Sequence, residues 1–90
     1  MSRVLSIGFS YFQKVYYTWI RVIEKPNRTE YHVTILDFEL DRLLYGNNVF
    51  VENDGFLVPE LYEDEAQGNL RLEITQALND YLKSGKKIEQ

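Results

Sequence analysis

The chain has no cysteine among its 90 residues, which excludes disulfides, thiolate chemistry and cysteine-based zinc sites together. It has a single histidine, His32. One imidazole serves as a general base only with a substrate in reach and, usually, an orienting partner. Its place between Tyr31 and Val33 in a strand-like run favours a solvent-facing or cross-strand role instead. The five glycines, at 8, 46, 55, 68 and 85, are scattered, so there is no glycine-rich phosphate loop. No serine has the surroundings of a nucleophile elbow. The carboxylates between Glu52 and Glu65 do not follow calcium-loop spacing and read as a turn followed by a solvated acidic loop. These absences predict a protein that is not an enzyme and holds no cofactor or metal.

Long apolar runs are missing as well. Nothing approaches the roughly 18 apolar residues of a membrane span. The stretch 4–9 after Arg3 faintly imitates a signal peptide, but it is short, soon interrupted, and followed by no small-residue cleavage site. The expectation is a soluble cytoplasmic protein without membrane contact.

What is present is enough apolar material for one core. Leu, Ile, Val and Phe supply 29 of the 90 residues, well above the roughly 20% below which charged chains stay disordered. The net charge of −4 is unevenly spread. Residues 1–28 carry Arg3, Lys14, Arg21, Lys25 and Arg28 against Glu24 alone, whereas 52–65 hold six carboxylates and no base. That spread reads first as ordinary surface charge, and more sharply as a basic and an acidic face.

Residues 1–90 read as one α+β domain, with 1–10 either a further strand or an N-terminal extension and 86–90 a frayed tail. A first hairpin runs Phe12–Glu24 and Thr29–Leu36 around the turn Lys25-Pro26-Asn27-Arg28. A short helix follows over Phe38–Tyr45, with Asp37 as its cap, a stripe of Leu40, Leu43 and Leu44, and Gly46 to end it. Val49–Val51 and Phe56–Val58 flank Asn53-Asp54-Gly55, a strong hairpin signal closed by Pro59. After an acidic loop at 60–69, a long helix begins near Asn69. Its Leu70, Ile74, Ala77, Leu78, Tyr81 and Leu82 share one face, with Gly85 as its stop. The predicted fold is a small antiparallel sheet of two hairpins, about four strands in the order ββα-ββα. The longer C-terminal helix packs on that sheet.

The most informative segment is Phe12–Ile23. A half-buried strand alternates apolar with polar, yet here both alternating faces are apolar. One carries Val15, Tyr17, Trp19 and Ile23, and the other Phe12, Tyr16, Ile20 and Val22. A small domain has few elements with which to cover both. The first ten residues and the short helix could supply the second cover within one chain. The favoured expectation is a non-catalytic protein-interaction module, self-associating as a homodimer or binding another protein. Its interface would draw on Phe12, Tyr16, Tyr17, Trp19, Ile20 and Val22. The rival reading is single-stranded nucleic-acid binding, with bases stacked on the hairpin aromatics and phosphates held by Lys14 and Arg21. The acidic balance of the chain and the lack of an RNA-recognition signature rank it second.

Overall fold

The computed structural model describes residues 2–58, 62 and 64–84. Its centre is β3 (Lys14–Glu24), an 11-residue strand rich in branched and aromatic residues that suit a pleated, packed surface. β4 (Thr29–Ile35) returns antiparallel to it. The turn between them is closed by Lys25 N–H donating to Arg28 O at 2.8 Å. β5 (Val49–Asn53) pairs with β4, and β6 (Phe56–Leu57) pairs with β5. Asp54 and Gly55, at φ 57° and 93°, make the expected tight turn between β5 and β6.

The N-terminal residues form strands that the apolar pattern left undecided. β1 (Ser2–Leu5) and β2 (Gly8–Tyr11) lie end to end along one edge of β3. The register is continuous across their junction, with Leu5 opposite Ile20 and Gly8 opposite Tyr17. At the junction Thr18 is fully buried, and both its N–H and its hydroxyl donate to Ile7 O, at 3.0 and 2.9 Å. The sheet is therefore six-stranded, ordered β1/β2–β3–β4–β5–β6 and antiparallel throughout. It replaces the expected two-hairpin sheet of about four strands. The reason lies at Phe12 and Gln13, which turn β2 into β3 at φ 50° and 64°. Such two-residue turns strongly favour Asn-Gly or Asp-Gly. A Phe-Gln turn gives no sequence signal.

α1 spans Phe38–Arg42, shorter than the 38–45 expected. Asp37 Oδ1 accepts from Leu40 N–H, as the cap reading required. Beyond Arg42 the chain tightens into i→i−3 bonds, from Leu43 to Leu40, Leu44 to Asp41 and Tyr45 to Arg42. Tyr45 and Gly46 then both adopt positive φ, which ends the segment. Asp41 has a role its place in the first turn did not suggest. Its Oδ1 accepts from Ile35 N–H at 2.9 Å and from Asn48 Nδ2 at 3.1 Å, and Asn48 Nδ2 also donates to Val33 O. Together Asp41 and Asn48 complete the hydrogen bonding at the end of β4.

α2 (Glu65–Ser84) begins four residues before the expected cap at Asn69, so much of the presumed acidic loop is helical. Asp64 Oδ1 accepts from Gln67 N–H at 2.9 Å, and buried Gln67 Nε2 donates to Leu44 O at 2.7 Å. This anchoring outweighs the roughly 1 kcal/mol that an internal glycine, here Gly68, costs a helix. Pro59, Glu60, Glu63, Gly85 and the tail 86–90 lie outside the described residues. Leu70, Ile74 and Leu78 are fully buried against the sheet, where they join Ile20, Val22, Tyr31, Val33, Phe50 and Leu57. Arg71, which is not part of the apolar stripe, is also buried. Its guanidinium donates to Asn47 O and Val49 O and lies 3.9 Å from the Phe50 ring centroid.

The Phe12–Gln13 turn generates a stability prediction. An L-residue in the left-handed region is disfavoured by about 1–2 kcal/mol. Gln13→Gly should therefore raise unfolding stability by about 1 kcal/mol, after allowing for glycine's larger unfolded-state entropy. The shift would be read as a higher urea midpoint at unchanged slope; an unchanged or lower midpoint would mean that the turn holds no such strain.

Candidate functional site

One helix lies on one face of the sheet, and the strands sort their side chains accordingly. Along β3, Thr18, Ile20 and Val22 are buried, whereas Val15, Tyr17, Trp19 and Arg21 are exposed. The register carries this division across the sheet. Arg21 stands opposite Val4 on β1 and His32 on β4, and His32 stands opposite Val49 on β5. Leu36 N–H donates to Tyr17 O, which extends β4 beside the same surface. Phe56 lies across from Asn53 and is exposed. The open face thus gathers Val4, Tyr17, Trp19, Leu36, Val49 and Phe56 from five strand positions. Tyr17 is 59% and Trp19 56% exposed.

Gly8 leaves room for the Tyr17 ring on this surface. A Cβ there would come within 3.1 Å of the Tyr17 ring, which lies across the glycine from the neighbouring strand. An aromatic packed over a strand glycine covers backbone that would otherwise be bare.

The polar part of the face is a shallow hollow of about 370 Å³ lined by Val4, Trp19, Ile20, Arg21, His32 and Thr34. Beside it, Glu30 sits among three bases. Arg28 Nη2 and Nε reach Glu30 Oε2 at 2.6 and 3.0 Å, Lys25 Nζ is 3.9 Å away, and His32 Nε2 lies 3.0 Å from Oε1. The Arg28 hydrogen bond, then that of His32, holds the Glu30 carboxyl below its ordinary range. On the helix side, Tyr31 Oη donates to Glu52 Oε1 at 2.9 Å. Burial, then that carboxylate, pushes the Tyr31 phenol well above its usual range.

The structure divides the six residues expected at the interface. Tyr17 and Trp19 stand on the open face. Ile20 and Val22 are fully buried beneath α2 within the chain itself, because even-numbered positions of β3 face the helix. Tyr16 is half-buried, stacked on Phe9 at 5.9 Å. Phe12 is 81% exposed at the hairpin tip, its ring edge against Tyr11. Lys14 and Arg21 differ in parity and so leave β3 from opposite faces, with Lys14 Nζ lying over the Tyr16 ring. Sequence reasoning missed Val4, Leu36, Val49 and Phe56. Each is unremarkable alone, and only the cross-strand register places them on the same face as Trp19. Among the described residues no three His, Cys, Asp or Glu side chains converge as a metal set, and no helix is long and apolar enough to cross a membrane.

Glu30 yields a pH prediction. Its carboxylate is favoured in the folded state, so its contribution is present above the ordinary carboxylate range and is lost as pH falls through the lowered value. Glu30→Gln should lower stability at neutral pH and flatten the acid limb of a stability–pH profile measured by urea denaturation. A parallel profile would show that the cluster contributes nothing to folding. Comparison of the chain with protein-family models, with curated proteins and with solved structures finds no match, so its functional reading rests on the open face and its chemistry.

Proposed function

We propose that this chain is a small non-catalytic protein-interaction module that self-associates through its open sheet face. The observation that carries the reading is the exposure of Tyr17 and Trp19 beside Val4 and Leu36, on a surface over which no helix lies among the described residues. Contiguous apolar surface of this kind on a folded domain marks an interaction site. Tyr and Trp are the residues that most often anchor one.

A second copy fits the chemistry of the face. The face carries both signs: Arg21 at mid-sheet and Glu30 toward the β3–β4 hairpin end, opposite Ile23. A two-fold arrangement of such a surface can set each charge against its opposite. The nucleic-acid reading draws support from Tyr17, Trp19 and Arg21 lying together, as a stacking platform needs. Lys14 on the other face and Glu30 among the nearby bases weigh against it.

Light scattering over a wide concentration range tests the proposal. The expected result is twice the monomer mass, with Trp19→Ser weakening association roughly 30-fold, as loss of a central anchor does. A monomer at every concentration would overturn self-association. Salt-sensitive binding of a single-stranded oligonucleotide, lost in Arg21→Glu, would instead favour the nucleic-acid reading.

A further inference from the structure

The two edges of the sheet are finished differently. At the far edge, β6 is only two residues long, and Asn79 of α2 covers it. Leu57 N–H donates to Asn79 Oδ1 at 2.8 Å, and Asn79 Nδ2 donates to Leu57 O at 3.0 Å. A side-chain amide thus occupies the place a next strand would take. The other edge is formed by β1 and β2. Ile7 O accepts from Thr18 N–H, so Ile7 faces β3. In an antiparallel ladder alternate residues turn their backbone groups to opposite sides, so Gly8 and Ser10 turn theirs outward. No strand lies beyond them among the described residues.

Along β2 this edge carries neither of two usual defences. Native edges are blunted by charge, proline or a covering element, yet residues 4–13 contain neither a charged side chain nor proline. Instead, a groove of about 320 Å³ runs between Gly8, Phe9 and Ser10 on one wall and Glu73, Gln76, Ala77 and Asp80 of α2 on the other. Its floor offers backbone donors and acceptors, and its helical wall offers a small apolar residue between two carboxylates.

We propose that the groove between β2 and α2 is a docking site for an extended, lysine- or arginine-bearing peptide segment, which adds to the sheet as a strand beside β2. The main chain of the segment pairs with the outward N–H and C=O groups of Gly8 and Ser10. Its side chains on the helix side meet Ala77 and set their positive charges against Glu73. Strand addition of this kind takes affinity from main-chain bonds and selectivity from what lines the groove. A second copy is the poorer occupant, because β2 paired with β2 about a two-fold axis would bring two acidic α2 walls together. The site is separate from the open face, so its fate does not depend on self-association.

The test uses the full chain and a fluorescent ten-residue peptide of alternating lysine and valine, titrated by anisotropy, with amide shifts mapped by NMR. The expected result is saturable binding whose shifts centre on Gly8, Ser10 and residues 73–80. Ser10→Pro removes one outward donor at an edge position, where proline is tolerated, and should weaken binding roughly tenfold. Glu73→Lys should weaken it comparably, and Trp19→Ser should leave it unchanged. Because Ser10→Pro could disturb folding, the same peptide N-methylated at alternate residues provides a second arm on the unaltered protein. Methylation in one register should abolish binding and in the other should preserve it. Equal affinity in both registers, shifts centred on the open face, or no saturable binding would each overturn the proposal. So would a dimer that Ser10→Pro dissolves, which would assign the edge to a second copy.

Discussion

A single 20-residue helix can cover only one side of a sheet five strand positions wide, and the rest of the molecule follows from that limit. α2 is about 30 Å long at 1.5 Å per residue, enough to cross the sheet once. Beneath it, Ile20, Val22, Tyr31, Val33, Phe50 and Leu57 meet Leu70, Ile74 and Leu78 in one core. Burial of each such side chain stabilises by about 1.5–3 kcal/mol, so the helix side fixes the register of every strand. A slip of one residue would exchange Ile20 and Val22 for Trp19 and Arg21 in the core. Among the described residues no helix covers the opposite side, whatever its composition.

Polar side chains finish what the backbone ladders cannot. Thr18 bonds Ile7 where β1 gives way to β2, Asp41 and Asn48 satisfy the end of β4, and Asn79 closes the β6 edge. Gln67 ties the first turn of α2 to Leu44 O, and Arg71 ties the next to the carbonyls of Asn47 and Val49. Buried backbone groups without partners are costly, so these side chains are structural even though their residue types look like surface. They also leave β2 as an edge with outward backbone groups and an acidic helix beside it.

The chemistry of the open face is aromatic and apolar with a small charged region. Arg21 and His32 lie near its centre, the Glu30 cluster lies toward the β3–β4 turn, and Trp19 and Tyr17 follow on the other side along β3. Hydrophobic anchors near a limited set of charges suit a surface that recognises another folded surface. The charge balance of the chain, −4 overall, does not make the strongly positive footprint that nucleic-acid binding by backbone contact requires.

Much of this could be read in the chain itself. The alternation in Thr29–Ile35, the Asp-Gly turn, the Asp37 cap and the apolar stripe at Leu70, Ile74 and Leu78 are local signals, and each rests on the residue types at those positions. The double-sided apolar character of β3 was equally plain and marked the segment from which the site is built. What the chain could not reveal depended on contacts between distant residues. A Phe-Gln turn carries no propensity, so β2 and β3 pair because Phe9 and Tyr11 on one strand and Tyr16 on the other pack into the same core. Glu65–Asn69 becomes helical because Gln67 reaches Leu44. Ile20 and Trp19 are comparable as apolar residues, and only the placement of α2 makes one a core residue and the other a surface one. The sequence by itself determined the elements and their two-faced central strand. Tertiary structure decided which face is covered, because one helix can bury only the side it packs on.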